Sequence, residues 1–170
     1  MTAAEHFGWN YGKRTGYGCG FAFARYKNLG AYAAIAAEVA VDRDTGRVRV
    51  VRAVAAVDSG EAVNPDGIRN QIEGGIVQSA SWTLYEAVTF NHARITSQDW
   101  STYPILGFGG VPDSVEVHVI NRPGQPFLGT GEAAQGPAAA AIANAIRDAT
   151  GISMRELPIT PERVRAASAV

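Results

Sequence analysis

One carboxylate, Glu132, stands in the segment Leu128-Gly-Thr-Gly-Glu-Ala-Ala-Gln-Gly-Pro137, with Gly129 and Gly131 bracketing Thr130 before it and an alanine-rich run after it. Glycine carries no side chain, so the backbone here can approach a bulky ligand while the carboxylate projects toward it. A helix beginning just beyond sets the positive ends of its peptide dipoles near the acid. That setting suits a base that accepts a proton at neutral pH. It equally describes an acid that complements the dipole on a wet surface, and the segment alone leaves both readings open.

A second group lies in Asn70-Gln-Ile-Glu-Gly-Gly-Ile-Val-Gln78. Gln71 and Gln78 are seven residues apart, which places them two turns along one helix face beside Gly74-Gly75. A glutamine amide offers two donors and an acceptor, which suits the mixed edge of a pterin or a nucleobase. The plainer alternative is two polar residues on a solvated stripe. Glycines inside a helix cost roughly 1 kcal/mol each relative to alanine. Either something approaches that backbone closely or the helix is locally open.

The remaining reactive side chains are sparser. His6, His92 and His118 are far apart in the chain and lack metal-ligand spacing, so His92 and His118 are expected at the surface and no protein-ligated metal is expected. Ser59 and Ser79 lack the glycine-flanked elbow of an α/β-hydrolase nucleophile. Cys19 is the only cysteine, which excludes an internal disulfide and an iron–sulfur cluster held by this chain. Any electrons leaving the protein must pass to a partner. Trp9, Trp82 and Trp100 read as core or interface packing.

The elements that must position these residues follow from periodicity. Residues 1–20 read as an irregular lead-in ending in Gly16-Tyr-Gly-Cys-Gly20. The glycines suggest a dinucleotide loop, but the alternating run Phe21–Tyr26 follows them where that loop needs a helix N-terminus. Ala36–Asp42 and Arg47–Asp58 predict a strand pair around the turn Arg43-Asp-Thr-Gly46. Asn64-Pro65 predicts a capped helix start, and Ile68, Ile72, Ile76, Ala80 and Leu84 mark the apolar face of a helix over 65–84. Ala87–Phe90 and Ile95–Gln98 predict a hairpin, and Val115–Ile120 a strand with one wet face. Pro137 and Gly151 bracket a helix whose alanine face can lie very close to a neighbour, and Thr160-Pro161 opens a short final turn. The fold class is therefore α+β: a mixed sheet of hairpin-connected strands packed against two main helices in two layers, as a single domain over 1–170.

Composition narrows the function classes. The 170 residues are 46% hydrophobic and 18% charged, a globular balance. A net charge of -1 without a Lys/Arg run excludes a phosphate-backbone binder. No apolar run approaches the roughly 20 residues that cross a bilayer. Met-Thr-Ala-Ala-Glu-His lacks the basic and apolar regions of an export signal, which leaves the compartment unassigned.

Taken in order, Ala37-Glu-Val-Ala-Val-Asp42, Ala56-Val-Asp-Ser-Gly60, Asn64-Pro-Asp66, Gln71-Ile-Glu-Gly-Gly-Ile-Val-Gln78, Tyr103-Pro-Ile105, Gly129-Thr-Gly-Glu132 and Ala139–Ile146 resemble the second, C-terminal cofactor-binding domain of the xanthine dehydrogenase/aldehyde oxidase family of molybdenum hydroxylases. The nearest look is to the large subunits of isoquinoline 1-oxidoreductase and nicotinate dehydrogenase type. The similarity runs from about Gly16 to Arg165.

The resemblance implies a molybdenum–pterin cofactor, in its cytosine dinucleotide form, whose metal is held by the pterin dithiolene rather than by protein ligands. It implies that Glu132 is the catalytic base, taking a proton as water-derived oxygen enters an electron-poor carbon of an N-heteroaromatic or aldehyde substrate. It implies cofactor contacts at Gln78, Gly75 and Gly131. The partners implied are a first cofactor-binding domain, to which nothing in this chain corresponds, and a small iron–sulfur electron-transfer subunit. The cofactor would be shared with that first domain, and the chain alone would be inactive. Apolar surface left uncovered also predicts self-association into a homo-oligomer. The competing reading is a catalytically silent assembly or binding module that keeps the same fold.

Overall fold

Two alanine- and valine-rich strands make the centre of the molecule because small and β-branched side chains pack on both faces of a pleated sheet. The computed structural model describes residues 2–9 and 15–168. Strands β1 (Tyr17–Arg25), β2 (Tyr32–Val41), β3 (Val48–Asp58) and β4 (Ser114–Ile120) form one mixed sheet in the order β1-β2-β3-β4. The first three are antiparallel neighbours, whereas β4 runs parallel to β3. The β2–β3 turn has Gly46 at φ +74°, as its predicted place in the turn requires. β4 is joined to β3 by a crossover rather than a hairpin, and that crossover carries helix α2 (Pro65–Leu84).

Helix α2 has the bounds predicted for it. Asn64 caps it by accepting a hydrogen bond from the Gly67 amide at 2.9 Å, Pro65 is its first residue, and Ile68, Ile72, Ile76, Ala80 and Leu84 are all buried. Helix α3 (Gln135–Thr150) ends at Gly151, in the left-handed region at φ +82°. Both helices cover the sheet face that carries Ile35, Val39, Val50, Ala55 and Val57. Helix α4 (Pro161–Ser168) buries Val164 in the same core and extends the predicted final turn.

Three elements differ from the sequence reading. The lead-in is partly ordered: helix α1 (Thr2–Phe7) lies on the second face of the sheet, with Phe7 buried beside Ala36 and Val54. Residues 10–14 of that lead-in lie outside the described residues. The glycines of Gly16–Gly20 belong largely to strand β1, because Gly18 and Gly20 are where α3 touches the sheet. The predicted hairpin around Asn91–Arg94 reduces to one bridge between Phe90 and Ile95. Val88, Phe90 and Ile95 are exposed, and two short strands with no core beneath them do not hold a ladder.

β1 is an edge strand, and α3 covers that edge. Asn144 donates to the Phe21 carbonyl at 3.0 Å, and the Cys19 amide donates to the Asp148 carboxylate at 3.0 Å. Outward backbone groups that would otherwise template another strand are satisfied by helix side chains.

Candidate functional site

The loop before α3 is held from three sides, and that is what positions Glu132. Its entry is pinned where the Leu128 amide donates to the Ser59 carbonyl at 2.8 Å, just past the end of β3. Its middle is pinned where the Gly129 carbonyl accepts from the Ala31 amide at 3.0 Å and the Gly131 carbonyl accepts from Gln71 Nε2 at 3.2 Å. Its exit is pinned where Ser79 donates to the Gln135 carbonyl at 2.8 Å. Ser79 in turn accepts from the Trp82 indole at 3.0 Å, so this buried serine is a structural link between α2 and α3.

Gly75 is part of the same docking. A Cβ on it would lie 3.2 Å from the Ala134 Cβ, and the residue is buried. Its missing side chain gives space to the protein's own chain at Ala134. Gly74 next to it is exposed and faces open space. The sequence leaves the glycine pair with two explanations, and close approach accounts for Gly75.

Glu132 itself is 56% exposed at the side chain. The Tyr26 hydroxyl donates to its Oε2 at 2.7 Å, and Lys27 Nζ is 3.9 Å from the same oxygen. Oε1 carries no hydrogen bond among the described residues. The Lys27 ammonium is held above the ordinary lysine range, first by the Tyr26 hydroxyl beside it and then by the Glu132 carboxylate. Tyr26 and Lys27 are not singled out by the sequence. They sit in the turn after β1, where Lys27 (φ 48°) and Asn28 (φ 59°) both adopt left-handed backbone. Gly30 closes that turn, since a Cβ there would come within 2.9 Å of the Gly129 carbonyl oxygen. The tight turn is thus pressed against the Glu132 loop.

Gln78 is exposed and accepts a hydrogen bond from Gln135 Nε2 at 2.8 Å, so it stands beside the start of α3. Gly131 is exposed, with only the Gln71 amide near its open side. The structure brings Glu132, Gln71, Gln78 and Gly131 to one surface.

A groove of about 330 Å³ adjoins this surface, lined in part by Ser59, Val63, Gln71, Phe127 and Thr130. The Ser59 hydroxyl is buried and has no hydrogen-bond partner among the described residues. A buried, unsatisfied hydroxyl costs free energy unless a ligand or water meets it. Amides, a glycine backbone and an unpaired hydroxyl suit a polar heterocycle. The only group of three metal-ligating side chains among the described residues lies elsewhere, at His6, Glu116 and His118. Histidine spacing along the chain does not reveal that group, because strand alternation and α1 bring together residues remote in sequence.

The Molybdopterin cofactor-binding domain family matches residues 2–112. The chain is 51% identical over 156 residues to a subunit of nicotinate dehydrogenase from Pseudomonas putida, covering 88% of this chain and 13% of that protein. It is 33% identical over 147 residues to the beta chain of isoquinoline 1-oxidoreductase from Brevundimonas diminuta, covering 86% and 18%. Among solved structures it is similar to quinoline 2-oxidoreductase from Pseudomonas putida 86, with a TM-score of 0.75, 31% identity and coverage of 82% and 19%. The chain therefore spans less than a fifth of the length of each of these relatives.

Proposed function

The chain belongs to the molybdopterin cofactor-binding domain family of xanthine dehydrogenase and aldehyde oxidase oxidoreductases, and on that premise we propose that it supplies the catalytic base and one wall of the cofactor cradle to a hydroxylase of N-heteroaromatic or aldehyde substrates. The observation that carries this reading is Glu132: a carboxylate anchored through Oε2 by Tyr26, with Oε1 left to accept a proton.

The residues fit the group. Gln78, Gly131 and the unpaired Ser59 hydroxyl would hold the pterin portion, and no protein ligand for the metal is needed. Following the family resemblance, that group is the molybdenum–pterin cofactor in its cytosine dinucleotide form. When bound, it supplies the redox centre that takes two electrons from the substrate carbon. This chain's part is to keep Glu132 Oε1 open at the reacting atoms and to hold the proton taken there. Tyr26 fixes the carboxylate's rotation, and Lys27 balances its charge.

Other polypeptide must complete the site. Val63 and Phe127 beside the groove are each 77% exposed, which suits burial under a first cofactor-binding domain and, without it, self-association. Following the family resemblance, electrons leave through an iron–sulfur partner; this chain's one cysteine, Cys19, cannot hold such a cluster. Co-producing the chain with a polypeptide carrying that first domain is expected to give a complex containing about one molybdenum, with none on the chain alone. Elemental analysis of the two preparations checks this. A complex free of molybdenum removes the reading.

Tyr26 is a positioning residue in this scheme. Tyr26→Phe in the holoenzyme is expected to lower kcat about tenfold with KM little changed, because a loosened carboxylate reaches its productive geometry less often. A rise in KM at constant kcat in steady-state kinetics points instead to a substrate-binding role.

A further inference from the structure

We propose that His6, Glu116 and His118 form a binding site for a divalent transition-metal ion, Zn²⁺ by preference, which ties α1 to the edge strand β4. The site is separate from the Glu132 surface and uses none of its residues. One donor atom from each of the three side chains lies within 4.8 Å of the other two.

The fold makes this convergence in two steps. Val115, Val117 and Val119 of β4 pack toward the core under α2, so alternation turns Glu116 and His118 to the opposite face, side by side. Their partners on β3 are Val54 and Ala56, which form an apolar floor without competing hydrogen-bond groups. Helix α1 lies on that same face. Phe7 is 1% exposed, and Arg52 both donates to the Phe7 carbonyl at 3.0 Å and stacks 3.9 Å over its ring. With Phe7 anchored, the neighbouring His6 is delivered over β4, where its ring stacks on His118 at 3.6 Å between centroids and 17° between planes.

The chemistry of the contacts points to a shared cation. His118 Nε2 is shielded from solvent and makes no well-directed hydrogen bond among the described residues, although Glu116 Oε1 is 2.8 Å away. That nitrogen and the carboxylate oxygen need a positive centre between them, either a proton on Nε2 or a metal ion shared with His6. Two imidazole nitrogens and a carboxylate oxygen are the donor types that zinc takes, at about 2.0–2.2 Å, with water completing a tetrahedron. Parallel rings cannot direct both lone pairs at one ion, so binding requires one of them to turn edge-on. His6 is exposed on its short helix and has room to do so.

Calorimetric titration of the tag-free chain with zinc chloride tests the site. One ion per chain is expected, with dissociation in the micromolar range or tighter, and a raised melting temperature because the ion binds only the folded form. His6→Ala, Glu116→Gln and His118→Ala should each weaken binding at least about tenfold, whereas His92→Ala in its remote exposed turn should not. His6→Ala removes an exposed side chain, and its circular dichroism without zinc should match the parent. Absence of saturable zinc binding to the parent, or unchanged affinity in folded His6→Ala, overturns the proposal.

Discussion

Glu132→Gln in the complete holoenzyme is expected to lower kcat by at least about a thousandfold while molybdenum content stays the same. The substitution is nearly isosteric. A glutamine carbonyl oxygen at the Oε2 position can still accept the Tyr26 hydroxyl that now lies 2.7 Å away, so the loop keeps its geometry. What is lost is the free carboxylate oxygen able to take up and hold a proton. Loss of activity together with loss of metal would indicate a cradle defect rather than a missing base, so elemental analysis accompanies the kinetics. A Glu132→Gln enzyme that keeps more than a tenth of the parent kcat ends the assignment. The effect should far exceed that of Tyr26→Phe, because one removes the proton acceptor and the other only its restraint.

That Glu132 is legible in the sequence and Tyr26 is not has a physical reason. Glycines bracketing an acid before a helix are a local pattern, and the local chain does build that loop. Tyr26 reaches the acid only because β1 ends beside the Gly129 carbonyl, a contact across 106 positions that no local window contains. A residual signal is present in Arg25-Tyr-Lys-Asn-Leu-Gly30, where Asn28, a residue that tolerates left-handed backbone, adopts it. The same limit governs the histidines. Spacing along the chain separates His6 from His118, while the sheet stacks their rings. Helix α2 is readable to its ends because its cap, its first-turn proline and its four-residue apolar recurrence all lie within one segment. The Phe90–Ile95 hairpin fails because alternation is necessary for a ladder but a buried face must also exist beneath it.

Glycine substitutions should separate close approach from mere helix-breaking, with opposite signs at two positions. Gly20→Ala is expected to destabilise the chain by about 3 kcal/mol or to prevent folding. A Cβ there would sit 2.0 Å from the Ala141 carbonyl oxygen and 2.3 Å from the Ala145 amide nitrogen. Both are backbone atoms of α3, so no side chain can rotate away and the whole helix must lift from β1. Lifting it would also detach Asn144 and Asp148 from the strand edge and shift the Glu132 loop that leads into the helix. Gly74→Ala is expected to do the reverse. Among the described residues nothing lies within 4 Å of its missing Cβ, and alanine in a helix interior gains up to about 1 kcal/mol over glycine. Urea denaturation of both variants at equal slope reads the two signs directly. If both destabilise, α2 needs glycine at position 74 for a contact outside this chain; if Gly20→Ala is neutral, the α3–β1 contact is looser than the backbone distances describe.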